Sequence, residues 1–341
     1  MKKIVALMIA LVMVFSLVAC GGGGETPAPE EPADEPEEVI ELDMISCLGA
    51  THKIFKACEY YAEKVEEVSG GKMKINLLGG DEIMAEEEQL SALKNGVFDL
   101  MWDLETLSQI CPLYSAMSCT GMTSKEELDA GLYDLYREAY EKEGGVYWLG
   151  KASQPQWWVL AYNGDKIEDM SGVAGKKIRC NSATSAAVEA LGGIPTIVPY
   201  GEIYEAMERG LVDGFIMTPE DWVQNGWQDV TDYFCDLRIL EGGMTGCLCN
   251  LDVWNSLTEE QQGWLRAPFE EYVQELYDIC EENQASGERE IAEAGVELVP
   301  WTDAEKEAAQ KKIIEAQWNS LKDQITPEYA QRFAEICGLD Y

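Results

Sequence analysis

The fold is decided by the stretch GKKIRCN at residues 175–181, followed by GLVDG at residues 210–214. Each joins a glycine turn to a short apolar strand, and helical patterns at 182–191 and 202–209 flank a further strand pattern at 196–199. This alternation of strands and helices predicts an α/β unit with a parallel sheet.

Arg179 is the most informative residue of that stretch. It is the lone arginine on a short strand between a Gly-Lys-Lys turn and a helix start, which favours a position facing a cleft. Its planar guanidinium can hold a carboxylate through two parallel hydrogen bonds. The stretch therefore predicts the capture of a small acid.

The N-terminal half predicts a second α/β unit. Strand patterns lie at 39–46, 73–78 and 98–102, and helical patterns lie at 51–69 and 87–95. Ligands in such sheets bind beyond the carboxyl ends of the strands, which places His52 at the expected cleft. A strand at 247–251 is expected to return to this first unit.

One exceptionally long helix is predicted in the C-terminal third. A capping box at 258–261 begins it, and apolar positions continue to Ile291. Roughly 35 residues at about 1.5 Å each exceed the width of one domain, so the helix is expected to run under both units. Pro268 is predicted to kink it near Trp264.

The N-terminus predicts export. Residues 1–19 join a short basic start to an apolar run, which is typical of a secretory signal. The run ends in Leu-Val-Ala-Cys like a bacterial lipobox, so Cys20 is expected to be the lipidated first residue of the mature chain. Residues 20–38 predict a disordered acidic tether. The alternative is an ordinary cleaved signal followed by a disordered tail, with Cys20 incidental.

Composition restricts the partners and cofactors. The chain has 63 acidic and 25 basic residues, a net charge of −38, which argues against nucleic acid and anionic lipid as partners. His52 is the one histidine and the cysteines lack zinc spacing, so no metal and no cofactor is expected. The ten cysteines after Cys20 are interpreted as buried free thiols, with disulfides as the alternative.

Several motifs together resemble one family. They are His52 with VEEVSGGK at 65–72, GVFDL at 96–100, GKKIR at 175–179, and EIYEAM at 202–207 running to VDG at 212–214. Over residues 39–341 the chain is similar to the dicarboxylate-type solute-binding component of tripartite ATP-independent periplasmic (TRAP) transporters. The resemblance implies an α/β, two-domain, periplasmic-binding-protein-like (type II) fold with a long helix spanning both domains. It also implies a hinged cleft and delivery to membrane permease subunits.

The resemblance implies specific ligand contacts. The arginine matching Arg179 pairs with the substrate carboxylate in that family, and the residue after the Val-Asp-Gly strand adds a hydrogen bond. The segment 213–219 carries one extra residue in this chain. Thr218 is therefore the best match to the hydrogen-bonding residue of the family, and Met217 is its neighbour. Asn181, at the end of the Arg179 strand, is expected to contact the ligand as well.

A departure from the family pattern points to the shape of the ligand. Many members carry a second arginine about twenty residues before the first, where this chain has Gln156, Trp157 and Trp158. Aromatic walls from these tryptophans, with Trp102 and Trp222 at candidate strand ends, favour a monocarboxylate with an apolar or aromatic body. For each single tryptophan the alternative is a place in the core.

Other ligands and functions stay open at this point. Gln156, Glu220 and Trp222 also permit a monovalent cation that bridges the protein to a 2-oxo acid, and a dicarboxylate is a further alternative. An exported hydrolase is disfavoured, because one histidine and no Gly-x-Ser-x-Gly elbow leave it without a nucleophile system. A ligand-sensing domain or the binding protein of an ATP-driven importer would share the fold.

The predicted organisation is an extracytoplasmic, lipid-anchored monomer that is not an enzyme. The predicted segments are a lipoprotein signal peptide (1–19), a tether (20–38), domain I (39–156 plus 245–284) and domain II (157–244 plus 285–341).

Overall fold

The computed structural model of the chain describes residues 39–50, 53–103, 110–151, 156–242 and 245–341. Its strands are β1 (Ile40–Ser46), β2 (Met73–Gly79), β3 (Leu100–Asp103), β4 (Val146–Lys151), β5 (Gln156–Trp157), β6 (Val159–Tyr162), β7 (Lys177–Cys180), β8 (Ile194–Ile197), β9 (Gly214–Met217), β10 (Tyr233–Cys235), β11 (Glu241–Gly242), β12 (Gly246–Asn250) and β13 (Glu297–Val299). Its helices are α1 (Lys53–Val68), α2 (Glu86–Lys94), α3 (Ser124–Asp129), α4 (Leu132–Ala139), α5 (Met170–Val173), α6 (Ser185–Ala190), α7 (Ile203–Glu208), α8 (Pro219–Asn225), α9 (Leu251–Ser256), α10 (Glu259–Glu270), α11 (Val273–Glu293), α12 (Asp303–Leu321) and α13 (Pro327–Cys337).

The first sheet has the strand order β2-β1-β3-β12-β4. Strand β1 is parallel to β2 and β3, whereas β12 is antiparallel to both of its neighbours. Cys247 of β12 pairs with Trp102 of β3. The prediction that the strand at 247–251 returns to the first unit is therefore confirmed.

The second sheet has the strand order β13-β10-β6-β9-β7-β8. Strand β7 is parallel to β8 and β9, and Arg179 pairs with Thr196 on one side and Phe215 on the other. Because parallel strands end at the same edge of a sheet, the carboxyl ends of β7, β8 and β9 lie together. Residues that follow these three strands can share one site.

A third, two-stranded sheet lies where the chain passes between the two larger ones. Trp157 of β5 pairs with Glu241 of β11, and Gln156 pairs with Gly242. One of these strands leads into the second sheet and the other leads back to the first. The two connections are thus held side by side.

Helices α6 and α12 pack through apolar side chains on one face of the second sheet. Helices α7, α8 and α11 pack on the other face. Ile178 and Cys180 of β7 belong to the core on the α12 side. Since successive side chains of a strand point to opposite faces, Arg179 points to the α7 and α8 side. This alternation is why a charged residue can stand in an otherwise apolar strand.

The prediction of one continuous long helix is wrong, because helix α10 ends at Glu270 and α11 begins at Val273. The backbone N–H groups of Glu271 and Tyr272 both reach the carbonyl of Ala267, at 2.8 and 3.4 Å, so the helical ladder loses its register there. The interruption follows Pro268 instead of lying near Trp264. Helix α11 still packs against α3 beside the first sheet and α8 beside the second, so it spans both parts.

The C-terminal helices are shared between the two sheets. Helix α12 packs against α6 and against the 3₁₀ segment Pro112–Cys119, while α13 packs against α4. Trp318, Tyr329 and Phe333 lie in the core of the first sheet. The end of the segment 285–341, predicted as part of domain II, therefore packs on the first sheet.

The described cysteines are free thiols, as the preferred interpretation predicted. They are Cys47, Cys58, Cys111, Cys119, Cys180, Cys235, Cys247, Cys249 and the half-buried Cys337. Burial raises the pKa of most of them, for example that of Cys58 to about 12, which makes them poor nucleophiles. The predicted signal, Cys20 and the tether lie outside the described residues. A search of the described helices finds none with the length and apolar character needed to cross a membrane.

Candidate functional site

Arg179 lies at the centre of the candidate site and is only 4% exposed. Its Nε donates a hydrogen bond to the carbonyl of Val198 at 2.9 Å, and its Nη1 lies 3.3 Å from Sδ of Met217. These contacts fix the guanidinium against the carboxyl ends of β8 and β9. Its Nη2 has no hydrogen-bond partner among the described residues.

The charge of Arg179 lacks a counter-ion in the described part of the chain. No carboxylate there pairs with it, and burial lowers the pKa of its guanidinium below the ordinary value. A buried charge without a partner costs several kcal/mol, so such groups are normally paired or hydrogen-bonded. The arrangement fits a guanidinium that receives an anion from outside the protein.

Tyr200 forms an aromatic surface beside Arg179. It follows β8 and is 43% exposed, with its ring edge-on to the buried Trp227 at 5.1 Å between centroids. Burial of its hydroxyl, together with the nearby Asp221 carboxylate, raises the pKa of Tyr200 to about 12. The phenol is therefore neutral at ordinary pH and presents both a flat apolar ring and a polar end.

The polar end of Tyr200 belongs to a hydrogen-bond network at the start of α8. Its hydroxyl donates to Oδ1 of Asp221 at 3.2 Å, and Thr218 donates from Oγ1 to Oδ2 of the same carboxylate. Asn225 donates from Nδ2 to the Tyr200 hydroxyl and to the Asp221 carbonyl, both at 2.7 Å. Thr218 is 2% exposed, whereas Asp221 is half-buried.

Two predicted ligand residues thus share one edge of the second sheet. The guanidinium of Arg179 contacts Met217, and Thr218 is the residue directly after Met217. Asn181 is nearby in sequence and exposed, but its side-chain oxygen accepts hydrogen bonds from Thr184 at 3.1 Å (N) and 3.0 Å (Oγ1). Asn181 therefore caps the turn that follows β7. Its role as a ligand contact stays a prediction.

Trp102 and Trp222 are both buried, which agrees with the core position that the sequence analysis left open for each tryptophan, and their contact with the ligand stays a prediction. Trp102 is 2% exposed and packs on Tyr61 and Phe269, with centroids 5.8 and 6.2 Å away. Trp222 is fully buried against Phe215 at 4.9 Å. Both side chains point inward from their strand or helix, where burial of a large apolar ring is favourable.

Trp157 and Trp158 lie at the crossing between the sheets. Trp157 is half-buried under the guanidinium of Arg238, which is 5.6 Å from its ring centre, and the two residues line a small cavity of about 80 Å³. The half-buried Trp158 binds through its backbone to Leu240 and Ile239, at 2.9 and 2.8 Å. Trp158 packs against the apolar cluster that contains Val198 and Met217, the two residues that contact Arg179. Their predicted contact with the ligand remains a prediction.

The last predicted residues can be placed only in part. Gln156 lies in β5, but its side chain is outside what the structure describes, and so is His52. The residues that sequence reasoning missed are Tyr200, Asp221 and Asn225. A usable signal existed, since Tyr200 directly follows the strand pattern at 196–199, at the edge where ligands of such sheets bind.

This arrangement defines a class of protein. Two α/β sheets are joined by paired crossing strands and a bridging helix, and a buried arginine without a described counter-ion lies at the carboxyl edge of one sheet. These are the features of a two-domain solute-binding protein. Residues 45–323 match the family model of bacterial extracellular solute-binding protein, family 7, and the chain belongs to that family.

Known proteins agree with this assignment. The chain is 21% identical over 288 residues to a solute-binding protein of Chromohalobacter salexigens, covering 81% of this chain and 82% of that protein. It is 21% identical over 291 residues to the C4-dicarboxylate-binding periplasmic protein DctP of Rhodobacter capsulatus, covering 80% and 84%. A TRAP periplasmic solute-binding protein from Rhodobacter sphaeroides, in an apo open structure, superposes with a TM-score of 0.77 at 19% identity, covering 88% and 99%. The chain is thus a TRAP-type extracytoplasmic solute-binding protein and not an enzyme.

Proposed function

We propose that this protein captures a small organic acid in a hinged cleft at Arg179 and delivers it to the permease of an ion-driven TRAP transporter. The observation that carries the proposal is the buried guanidinium of Arg179, which has no carboxylate partner among the described residues. A bound carboxylate would supply the missing charge through hydrogen bonds to the guanidinium. Export to the outer side of the membrane follows from the family.

The favoured ligand has one principal carboxylate and an apolar or aromatic body. Arg179 is the cation at the described carboxyl edge of β7 to β9, and the exposed ring of Tyr200 beside it offers a flat apolar surface. A second carboxylate buried there without a partner would cost several kcal/mol. A dicarboxylate remains the alternative that the name of the Rhodobacter capsulatus relative favours, and a 2-oxo acid is a further one.

Calorimetry of Arg179 variants tests the site. In Arg179→Ala and Arg179→Lys we expect the affinity for the acid recovered from the purified protein to fall roughly thirty-fold or more, because loss of a desolvated bidentate pair costs about 2–5 kcal/mol. Arg209→Ala is the matched control, since the side chain of Arg209, directly after α7, is 73% exposed and pairs with Glu205 of that helix. Unchanged affinity in both Arg179 variants would exclude this site.

A thermal-shift screen tests the class of ligand. We expect branched and aromatic monocarboxylates to raise the melting temperature more than C4 dicarboxylates or sugar acids. A ligand at a hundred times its Kd stabilises the folded state by about 2.7 kcal/mol, which is readily measured. If succinate or malate gives the largest shift and the monoacids give none, the single-carboxylate proposal is wrong.

Membrane attachment and assembly complete the proposal. The lipobox-like ending before Cys20 supports a lipid anchor, and the acidic proline-rich segment after it supports a tether that lets a monomeric binding protein reach its permease.

A further inference from the structure

The network beside Arg179 has used its hydrogen-bond donors. A carboxylate only accepts hydrogen bonds, so the single hydroxyl protons of Tyr200 and Thr218 must both point to Asp221. Neither hydroxyl then has a proton left for a ligand. Both keep lone pairs that can accept.

The amide of Asn225 has no free donor either. Its Nδ2 lies 2.7 Å from the Tyr200 hydroxyl and 2.7 Å from the backbone carbonyl of Asp221. The carbonyl can only accept and the phenol proton is already used, so the amide nitrogen must face both oxygens. Its two protons are consumed inside the network.

The described polar groups around Arg179 therefore divide into two kinds. Arg179 supplies the donors, and the network supplies acceptors, namely the remaining lone pairs of the Asp221 carboxylate and of the Thr218 hydroxyl. Met217 connects the two parts, because its Sδ lies 3.3 Å from Nη1 of Arg179 and the next residue is Thr218 of the network. When the carboxylate of an acid binds Arg179, the group next to that carboxylate faces the acceptor oxygens of Asp221 and Thr218.

We propose that this site selects acids with a hydroxyl or ammonium group beside the carboxylate over 2-oxo acids of the same shape. The inference rests on the proposed function and deepens it. A hydroxyl or ammonium donates to the Asp221 and Thr218 oxygens, whereas a 2-oxo group places a second acceptor against them. Thr218 is buried and Asp221 is half-buried. Polar groups that a ligand desolvates discriminate against a ligand that leaves them unpaired, so we expect a preference of at least tenfold.

Calorimetry with matched ligands tests the selection. One series is leucine, 2-hydroxy-4-methylpentanoate and 4-methyl-2-oxopentanoate; the other is phenylalanine, phenyllactate and phenylpyruvate. Within a series only the group beside the carboxylate changes. We expect the amino or hydroxy acid of a series to bind at least tenfold more tightly than the 2-oxo acid. Equal or tighter binding of the 2-oxo acid overturns the inference.

A variant at Asp221 reports on the mechanism. Asp221→Asn exchanges a carboxylate oxygen for an amide donor, so the preference against 2-oxo acids should shrink at least fivefold or reverse. Asp229→Asn removes the same charge from an exposed residue four positions past Asn225 and should leave the preference unchanged. An undiminished preference in folded Asp221→Asn contradicts the assigned acceptor role.

Failure of the inference is distinguishable from failure of the proposed function. Suppose that the wild-type protein binds the 2-oxo acid best and that Arg179→Ala abolishes binding. The acid site then stands, and only the selection is wrong. If Arg179→Ala binds every acid normally, the proposed site itself is wrong. Should none of the six acids bind, mass spectrometry of the ligand released from the purified protein decides. An acid with a hydroxyl or N–H next to its carboxylate supports the inference, and any other acid, or none, overturns it.

Discussion

Two buried cations show how single residues differ in role. The side chain of Lys151 is fully buried with Glu127, whose oxygens lie 2.8 and 3.1 Å from Nζ, and Thr120 donates to the same carboxylate at 2.8 Å. Arg179 is nearly as buried but has no described carboxylate beside it. The first charge is neutralised inside the fold, and the second is available to a ligand.

Replacing Lys151 therefore tests stability and not binding. Lys151→Met leaves the buried Glu127 without its cation, so we expect the free energy of unfolding to fall by about 3–5 kcal/mol in chemical denaturation. Lys125→Met is the matched control, because Lys125 pairs with Asp129 on the surface, at 50% and 62% side-chain exposure. That change should cost less than about 1 kcal/mol. Equal losses in both variants would contradict the buried-pair interpretation.

At the residue scale, the sequence predicted the strand that carries Arg179, and the structure has that strand as β7. Arg179 is a lone cation on an apolar strand, and this combination is unusual enough to predict its place. The network of Tyr200, Asp221 and Asn225 joins residues from two different elements, and nothing in their local sequence specifies that they meet. The burial of Trp102 and Trp222 could not be predicted, because the direction of a large side chain depends on which elements pack against it.

Helix α8 is the element that presents the acceptor network. It begins at Pro219, directly after Thr218, and ends at Asn225, and the next residue is Gly226, whose φ of 70° lies in the left-handed region. Asp221 and Asn225 are four residues apart and so lie on the same face. The glycine lets the chain leave the helix and form the turn that carries Trp227, on which Tyr200 packs.

Two glycine replacements should change stability in opposite directions. At Gly226 no atom lies within 4 Å of an added Cβ, so Gly226→Ala suffers only from its left-handed backbone and should destabilise by about 1 kcal/mol. Gly263, inside α10, is equally open but helical, so Gly263→Ala should stabilise by up to about 1 kcal/mol. Urea denaturation measures both. Changes of the same sign would refute the backbone argument.

At the element scale, periodicity predicted most strands and helices within a few residues. It failed for the long helix, since apolar spacing continues across residues 271–272, where the structure has a break. A helix can continue past a proline or end after it, and the packing of the next turn decides which of the two occurs. That outcome depends on contacts between α10 and the first sheet, which periodicity does not contain.

At the scale of the whole molecule, four elements within the described residues join the two sheets. These are the β5 and β11 connections, helix α11, and helix α12 with its contacts on both sides. The return of β12 to the first sheet was expected from the strand pattern at 247–251 that follows the second α/β unit. The sharing of α12 and α13 was not, because amphipathic helices can cover either sheet equally well.

Closure on the ligand is the prediction that belongs to this scale. Two sheets joined by a narrow crossing can rotate about it, and an acid bound at Arg179 gives the facing surfaces a reason to meet. Small-angle scattering should therefore show a smaller radius of gyration with saturating ligand, at a forward intensity that corresponds to one chain. Arg179→Ala is the control and should give the same profile with and without the acid. If the wild-type profile also stays unchanged at saturation, the hinged cleft is not how this protein holds its ligand.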